Sequence, residues 1–290
     1  MSATILVLGQ TGQMARALAA APGRGVLTLG RDRLDLSDLD AIAPAIAAAA
    51  PAAVINAAAY TAVDKAETDQ EAAFRLNRDA PARAAAACAR LDIPFLHIST
   101  DFVFDGQKGA PYLEDDKTNP LSVYGRSKAA GETAVLAAGA RAAIVRSSWL
   151  YAADGANFVR TILRLARERG RVRVVADQRG RPTWAADLAG ALLMIAQHLM
   201  DGDPNAEGVF HFCDSGDASW ADLAEAAIEG AARRGAPPAS VERITTADYP
   251  TPARRPADSR LDCARFIALT GAAPPPWRDS LERCLDEMGI

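Results

Sequence analysis

With 290 residues, half of them hydrophobic, the chain is long enough to bury one large α/β core or two modest ones. Its 32 Lys and Arg against 36 Asp and Glu leave a formal charge of −4, so no basic field exists to draw nucleic acid or an anionic membrane. No apolar run approaches transmembrane length, and the strand-like Thr4–Leu8 begins without a charged lead, so a cytoplasmic protein with no signal peptide is expected.

Thr4–Leu8 reads as the first strand and runs into Gly9-Gln-Thr-Gly12-Gln-Met-Ala15, which opens a helix over Gln13–Ala20. Apolar runs at Val26–Leu29, Ala53–Asn56, Phe95–Ser99 and Ala143–Arg146 then alternate with helical stretches at Leu39–Ala50, Asp69–Leu91 and Ser122–Ala138. This repeated β-α-β order predicts an α/β fold, a Rossmann-type doubly wound parallel sheet over residues 1–150, with ligands beyond the carboxyl ends of its strands. After Trp149, loops rich in Pro, Gly and Arg separate helices at Asn157–Glu168, Ala186–His198 and Trp220–Gly230. Residues 151–290 therefore read as a smaller, mainly substrate-binding C-terminal domain, with some segments returning to the first sheet.

Cys88, Cys213, Cys263 and Cys284 show no paired spacing, which suits buried, reduced thiols. His97, His198 and His211 lack the spacing of metal ligands, so no metal site is expected. His97, inside Ile93-Pro-Phe-Leu-His-Ile98, reads as a core or strand-end residue.

In the glycine loop, Gly9 permits a tight turn and Gly12 lets the backbone approach a pyrophosphate at the helix N-terminus, with Ala15 as the third small position. A glycine turn without a ligand is the plainer alternative. After the second strand, Gly30-Arg31 stands where an acidic residue would hold ribose hydroxyls, and Arg31 suits a 2′-phosphate. NADPH is thus expected over NADH, although Asp32 counts against it and Arg31 could simply be solvated. Asp35-Leu36 matches a pair that brackets adenine in related folds. The small residues of Asn56-Ala-Ala-Ala59 suit either close approach of a cofactor or ordinary helix-start packing.

Tyr124 and Lys128 fall one helical turn apart on one face. An ammonium beside a phenol favours the phenolate, so Lys128 is expected to lower the pKa of Tyr124 towards neutrality. Tyr124 then donates a proton as hydride arrives from the nicotinamide, Lys128 holds the ribose hydroxyls, and Thr100 orients the substrate carbonyl. Each motif alone has a bland structural reading, and the ordered set carries the chemistry.

These motifs, within Asn56–Glu67, Ser99–Gly106, Tyr124–Glu132, Arg146–Tyr151, Asp177–Thr183 and Thr251–Pro256, resemble the extended short-chain dehydrogenase/reductases nearly end to end. Within that superfamily the chain is similar to the dTDP-4-dehydrorhamnose reductase family. The resemblance implies NADPH-dependent reduction of the 4-keto group of dTDP-4-dehydro-β-L-rhamnose to dTDP-β-L-rhamnose, for cell-surface polysaccharide. It implies a catalytic set of Thr100, Tyr124 and Lys128, and a sugar site lined by Thr100, Asp101 and Trp149. It further implies cofactor contacts from Thr11, Gly12, Gln13, Asp35, Leu36, Ala59, Tyr60 and Thr61. Arg255 is its candidate for the nucleotide diphosphate, with a plain salt bridge as the equal alternative.

There are departures. Phe102 stands where the family often has Tyr, and Ala15 replaces a third glycine. Met14-Ala-Arg-Ala17 has no carboxylate, so the metal-bridged dimer of some members is not carried over, and a homodimer of another kind stays open. A 4,6-dehydratase would need an acidic pair after Thr100, where Asp101 is followed by Phe102, and a 4-epimerase does not share Thr61–Glu67. A reductase giving the 6-deoxytalose epimer keeps every motif. A non-catalytic NADP-binding regulatory subunit is disfavoured by the joint presence of Thr100, Tyr124 and Lys128.

Overall fold

A computed structural model describes residues 4–23 and 25–290. The first half comprises β1 (Ile5–Leu8), α1 (Gln13–Ala20), β2 (Val26–Leu29), α2 (Leu39–Ala49), β3 (Ala53–Asn56), α3 (Val63–Ala66), α4 (Gln70–Phe74), α5 (Ala80–Leu91), β4 (Phe95–Thr100), α6 (Val123–Leu136) and β5 (Ala142–Ser147). The second comprises β6 (Leu150–Tyr151), α7 (Phe158–Arg169), β7 (Arg171–Val175), β8 (Arg179–Gly180), β9 (Thr183–Trp184), α8 (Ala185–Met200), β10 (Gly208–His211), β11 (Ala218–Ser219), α9 (Trp220–Arg233), β12 (Ser240–Ile244), α10 (Ala264–Thr270) and α11 (Trp277–Glu287).

Six strands form one parallel sheet in the order β10-β5-β4-β3-β1-β2. The fold is the doubly wound one expected. Alternate residues of each strand go to opposite faces, and both faces are covered. Ile5, Val7, Ile55 and Val145 pack with α1 and α8, while Leu6, Leu8, Val54 and Ile144 pack with α2 and α5. That two-sided burial is why the strands read as unbroken apolar runs. Chain direction across the sheet reverses between β1 and β3, so the crevice for a ligand lies beyond Leu8 and Asn56.

β10 comes from the second half and pairs with β5. The remaining strands form two-stranded pairs, among them parallel β7–β12, which pack with α7 and α9. All four cysteines are free and buried, with Cys213 Sγ and Cys263 Sγ 3.6 Å apart.

One element departs from expectation. The continuous helix anticipated over Asp69–Leu91 is α4, a π-helical turn at Arg75–Asp79, and α5. The wide turn presents buried Asn77, whose Oδ1 accepts from Tyr60 N–H at 2.8 Å. Its Nδ2 donates to Tyr60 O at 3.1 Å and to Ser127 Oγ at 2.9 Å. Gly131 makes the approach of α6 possible, since a Cβ there would lie 2.0 Å from Asn77 O. The irregular turn thus ties the segment after β3 to α6.

Candidate functional site

A cleft of about 950 Å³ opens at the carboxyl ends of the strands, on the reversal point. Gly9, Thr11, Gly12, Gln13, Arg31, Asp35, Leu36, Ala59, Thr61, Thr100, Asp101, Tyr124, Lys128 and Trp149 all line it. Gly9 turns at φ +118°, a left-handed value natural to glycine, and brings the loop against Ala58. Helix α1 begins after Gly12 with no side-chain cap, and no atom lies within 4 Å of where a Gly12 Cβ would be. Uncapped first-turn N–H groups beside open space suit a pyrophosphate. The Gln13 side-chain oxygen is buried there without a hydrogen-bond partner among the described residues. Arg31 is exposed and makes no ion pair or side-chain hydrogen bond among them.

Two proposed contacts lie elsewhere. Tyr60 does not line the cleft: its backbone is clamped by Asn77, and its hydroxyl donates to Asp69 Oδ2 at 3.0 Å. Arg255 lines a different cavity and is paired with Asp64, its Nη2 donating to Oδ2 at 2.9 Å.

Tyr124 is the second residue of α6, whose start is fixed by Ser122 Oγ accepting from Gly125 N–H. Gly125 is needed because a Cβ would sit 2.2 Å from Phe102 O. Burial pushes the Tyr124 phenol up to about 12; the Thr100 hydroxyl opposes the shift and the Asp101 carboxylate adds to it. The expected lowering by Lys128 is therefore corrected. Lys128 Nζ is engaged elsewhere, donating to Ile98 O at 2.6 Å and lying 3.2 Å from His97 Nε2. Tyr124 holds its proton at neutral pH, as a donor must.

Thr100 Oγ1 donates to Asp101 Oδ1 at 3.0 Å and accepts from Phe102 N–H at 3.2 Å. Burial pushes the Asp101 carboxyl up to about 6, with the Ser259 and Thr100 hydroxyls opposing. Asp101 Oδ2 is buried with no hydrogen-bond partner among the described residues, which leaves it an acceptor for a ligand hydroxyl.

Behind the cleft is a network that sequence reasoning missed. Glu132, two turns after Tyr124, accepts from Arg146 Nε at 2.9 Å, Arg146 Nη2 at 2.7 Å and Ser99 Oγ at 2.5 Å. The pair is almost fully buried and locks α6 to β4 and β5. A charged residue, Arg146, at the end of the apolar run of β5 was the available signal.

Trp149 holds a φ of +48°, which a non-glycine residue rarely adopts. Gly180 leaves room for its ring, since a Cβ there would lie 2.3 Å from the indole. The ring stacks on Trp220 at 3.8 Å and 7°. Trp149 lines the first cleft, while Trp220 lines a second of about 1090 Å³ with Phe158, Tyr249, Arg171, Arg254 and Arg255. Arg254 is exposed and, among the described residues, has neither ion pair nor side-chain hydrogen bond.

The family model described as "RmlD substrate binding domain" matches residues 3–290. A dTDP-4-dehydrorhamnose reductase of Sinorhizobium fredii is 44% identical over 96% of this chain and 95% of its own length. A Streptomyces antibioticus protein named probable dTDP-4,6-dihydroxy-2-methyloxan-3-one 4-ketoreductase is 40% identical over 98% of the chain and 95% of its own. The crystal structure of the Bacillus anthracis dTDP-4-dehydrorhamnose reductase in complex with NADP superposes with a TM-score of 0.91, at 30% identity, covering 99% of this chain and all of that one. On these matches the chain belongs to the RmlD substrate-binding-domain family, that of the dTDP-4-dehydrorhamnose reductases.

Proposed function

We propose that the chain reduces the 4-keto group of dTDP-4-dehydro-β-L-rhamnose with NADPH, giving dTDP-β-L-rhamnose in the last step of its formation. One observation carries the reading: in a member of this family, a single cleft gathers an uncapped glycine-loop helix, Thr100, Asp101, Tyr124 and Lys128. The NADP bound by the Bacillus anthracis relative and the unpaired Arg31 favour NADPH, with NADH usable.

When bound, the dinucleotide supplies the hydride. Gly9, Thr11, Gly12 and Gln13 receive its pyrophosphate end, Arg31 its 2′-phosphate, and Asp35, Leu36, Ala59 and Thr61 its adenosine side. Tyr124 delivers its phenolic proton to the carbonyl oxygen as the alkoxide develops. Thr100 fixes that oxygen's place by turning its hydroxyl proton to it from Asp101 Oδ1, while Asp101 Oδ2 accepts from a sugar hydroxyl and Trp149 shields the ring. Lys128 holds the nicotinamide ribose.

The second cleft takes the thymidine diphosphate, with Phe158, Trp220 and Tyr249 for the base. Arg254 is the better phosphate ligand, because Arg255 is already spent on Asp64. Residues 1–150 thus serve mainly the cofactor and 151–290 mainly the substrate. The charge balance suits a cytoplasmic protein without nucleic-acid or membrane partners, and a homodimer is compatible with it.

The test is oxidation of NADPH, and separately of NADH, with the keto sugar generated in place and the product identified. Rapid oxidation yielding dTDP-β-L-rhamnose is expected. A 6-deoxytalose product would replace the assigned stereochemistry, and no oxidation would remove the catalytic reading. The Streptomyces relative favours a second reading, a related dTDP-4-keto sugar, and substrate comparison in the same assay decides it.

A further inference from the structure

His97 and Asn56 have no part in the chemistry above, yet they join the backbone after β3 to Lys128. Ala58 N–H donates to Asn56 Oδ1 at 3.2 Å, and Asn56 Nδ2 lies 3.1 Å from His97 Nδ1. His97 Nε2 lies 3.2 Å from Lys128 Nζ, which donates to Ile98 O at 2.6 Å. His97 is 0% exposed and Asn56 1%, so bulk water does not reach either contact.

A backbone N–H can only donate, and so can an ammonium. An amide and a neutral imidazole each offer one donor and one acceptor to the neighbours at their two ends, so each passes on the direction of a hydrogen bond. With donors at both ends of this series, one contact must set N–H against N–H. That holds whichever way Asn56 is turned and whichever nitrogen of His97 carries the proton. A protonated His97 adds a second conflict. A neutral Lys128 amine removes them all: Ala58 N–H to Asn56 Oδ1, Asn56 Nδ2–H to His97 Nδ1, His97 Nε2–H to Lys128 Nζ, and Nζ–H to Ile98 O.

We propose that Asn56 and His97 form a hydrogen-bond relay that matches a neutral Lys128 amine and opposes its ammonium, making His97 a positioning residue of the active site. Other groups around Lys128 leave this arrangement in place. On its own helix, the Glu132 carboxylate favours the ammonium but is already engaged by Arg146 of β5 and by Ser99. Tyr124, also on α6, keeps its proton. Asp101 lies on the turn after β4 and receives Thr100, Glu67 after α3 receives Val123 N–H, and the π turn presents the uncharged Asn77. Burial pulls Lys128 down to about 8, with Glu132 opposing, in the direction the relay requires. His97 is itself held well below its ordinary value by burial and by Lys128, so it stays neutral.

The effect on turnover rests on the function proposed above, but the test does not. The chain's lysines are Lys65, Lys108, Lys117 and Lys128, so protein labelled with ¹³C at lysine Cε reports the Lys128 titration directly. A midpoint near 8 is expected. His97→Leu removes the relay without adding charge and should raise that midpoint by about one pH unit; an unchanged or lower midpoint overturns the proposal. Asn56→Asp, an acceptor at both ends, should raise it too and move the His97 proton from Nε2 to Nδ1, read from ¹⁵N-histidine shifts. A rise without the tautomer change would be the carboxylate's charge alone and would also overturn it. With the keto sugar, the basic limb of the kcat/KM profile should follow the Lys128 midpoint. Absence of NADPH oxidation would count against the proposed function while leaving both titrations to decide the relay.

Discussion

The cleft over the parallel sheet and the cleft beside it are made of opposite materials. The first is walled by backbone and small side chains, Gly9, Gly12 and Ala57–Ala59, with a few buried polar groups held by hydrogen bonds behind them. The second is walled by aromatic rings and arginines from α7, β7, α9 and the 246–255 segment. Trp149 and Trp220 stand face to face between the two. A dinucleotide gripped by backbone is bound by local sequence, where glycines and alanines at fixed spacing are the site. A nucleotide sugar gripped by long side chains is bound by groups that only the fold collects.

The predictions test that contrast. Tyr124→Phe keeps the ring and loses the proton donor, so turnover should fall about 100- to 10,000-fold while NADPH affinity, read by fluorescence titration, stays near wild type. Arg146→Met leaves Glu132 buried and unpaired, which should cost about 3–5 kcal/mol in urea unfolding. Replacing Glu132 by Met as well should recover part of that loss, and failure to recover it would mean the pair does more than satisfy its own burial. Trp220→Ala should raise the KM for the keto sugar about tenfold, some 1.4 kcal/mol, with little change in NADPH binding. Loss of both affinities alike would show that the clefts are not separable. Arg254→Ala should raise that KM more than Arg255→Ala does, and the reverse order would return the phosphate to Arg255. Smallest is Arg31→Ala, which should narrow the NADPH over NADH preference by no more than about tenfold and leave the sugar KM alone.

The strands of the main sheet were legible because each is buried on both faces and so reads as an apolar run. The residues proposed for the cofactor could be brought to one cleft from sequence because turn, helix start and strand end are contiguous there. Three things were not. The π turn arises from Asn77 satisfying Tyr60 and Ser127 across the fold, which helical periodicity does not encode. Arg255 carries the same residue type whether it meets a phosphate or Asp64, and only packing chose between them. The pKa of Tyr124 was misjudged because sequence spacing places Lys128 on the right face but says nothing of Ile98 O and His97, which engage its Nζ.

The central claim is that both clefts serve one hydride transfer to the sugar's C4. NADPH deuterated at the transferring position of its nicotinamide, incubated with the protein and dTDP-4-dehydro-β-L-rhamnose, tests it most directly. The account predicts a rhamnose product carrying deuterium at C4, and none with Tyr124→Phe on the same timescale. A product without deuterium, or unchanged transfer by the variant, would contradict it.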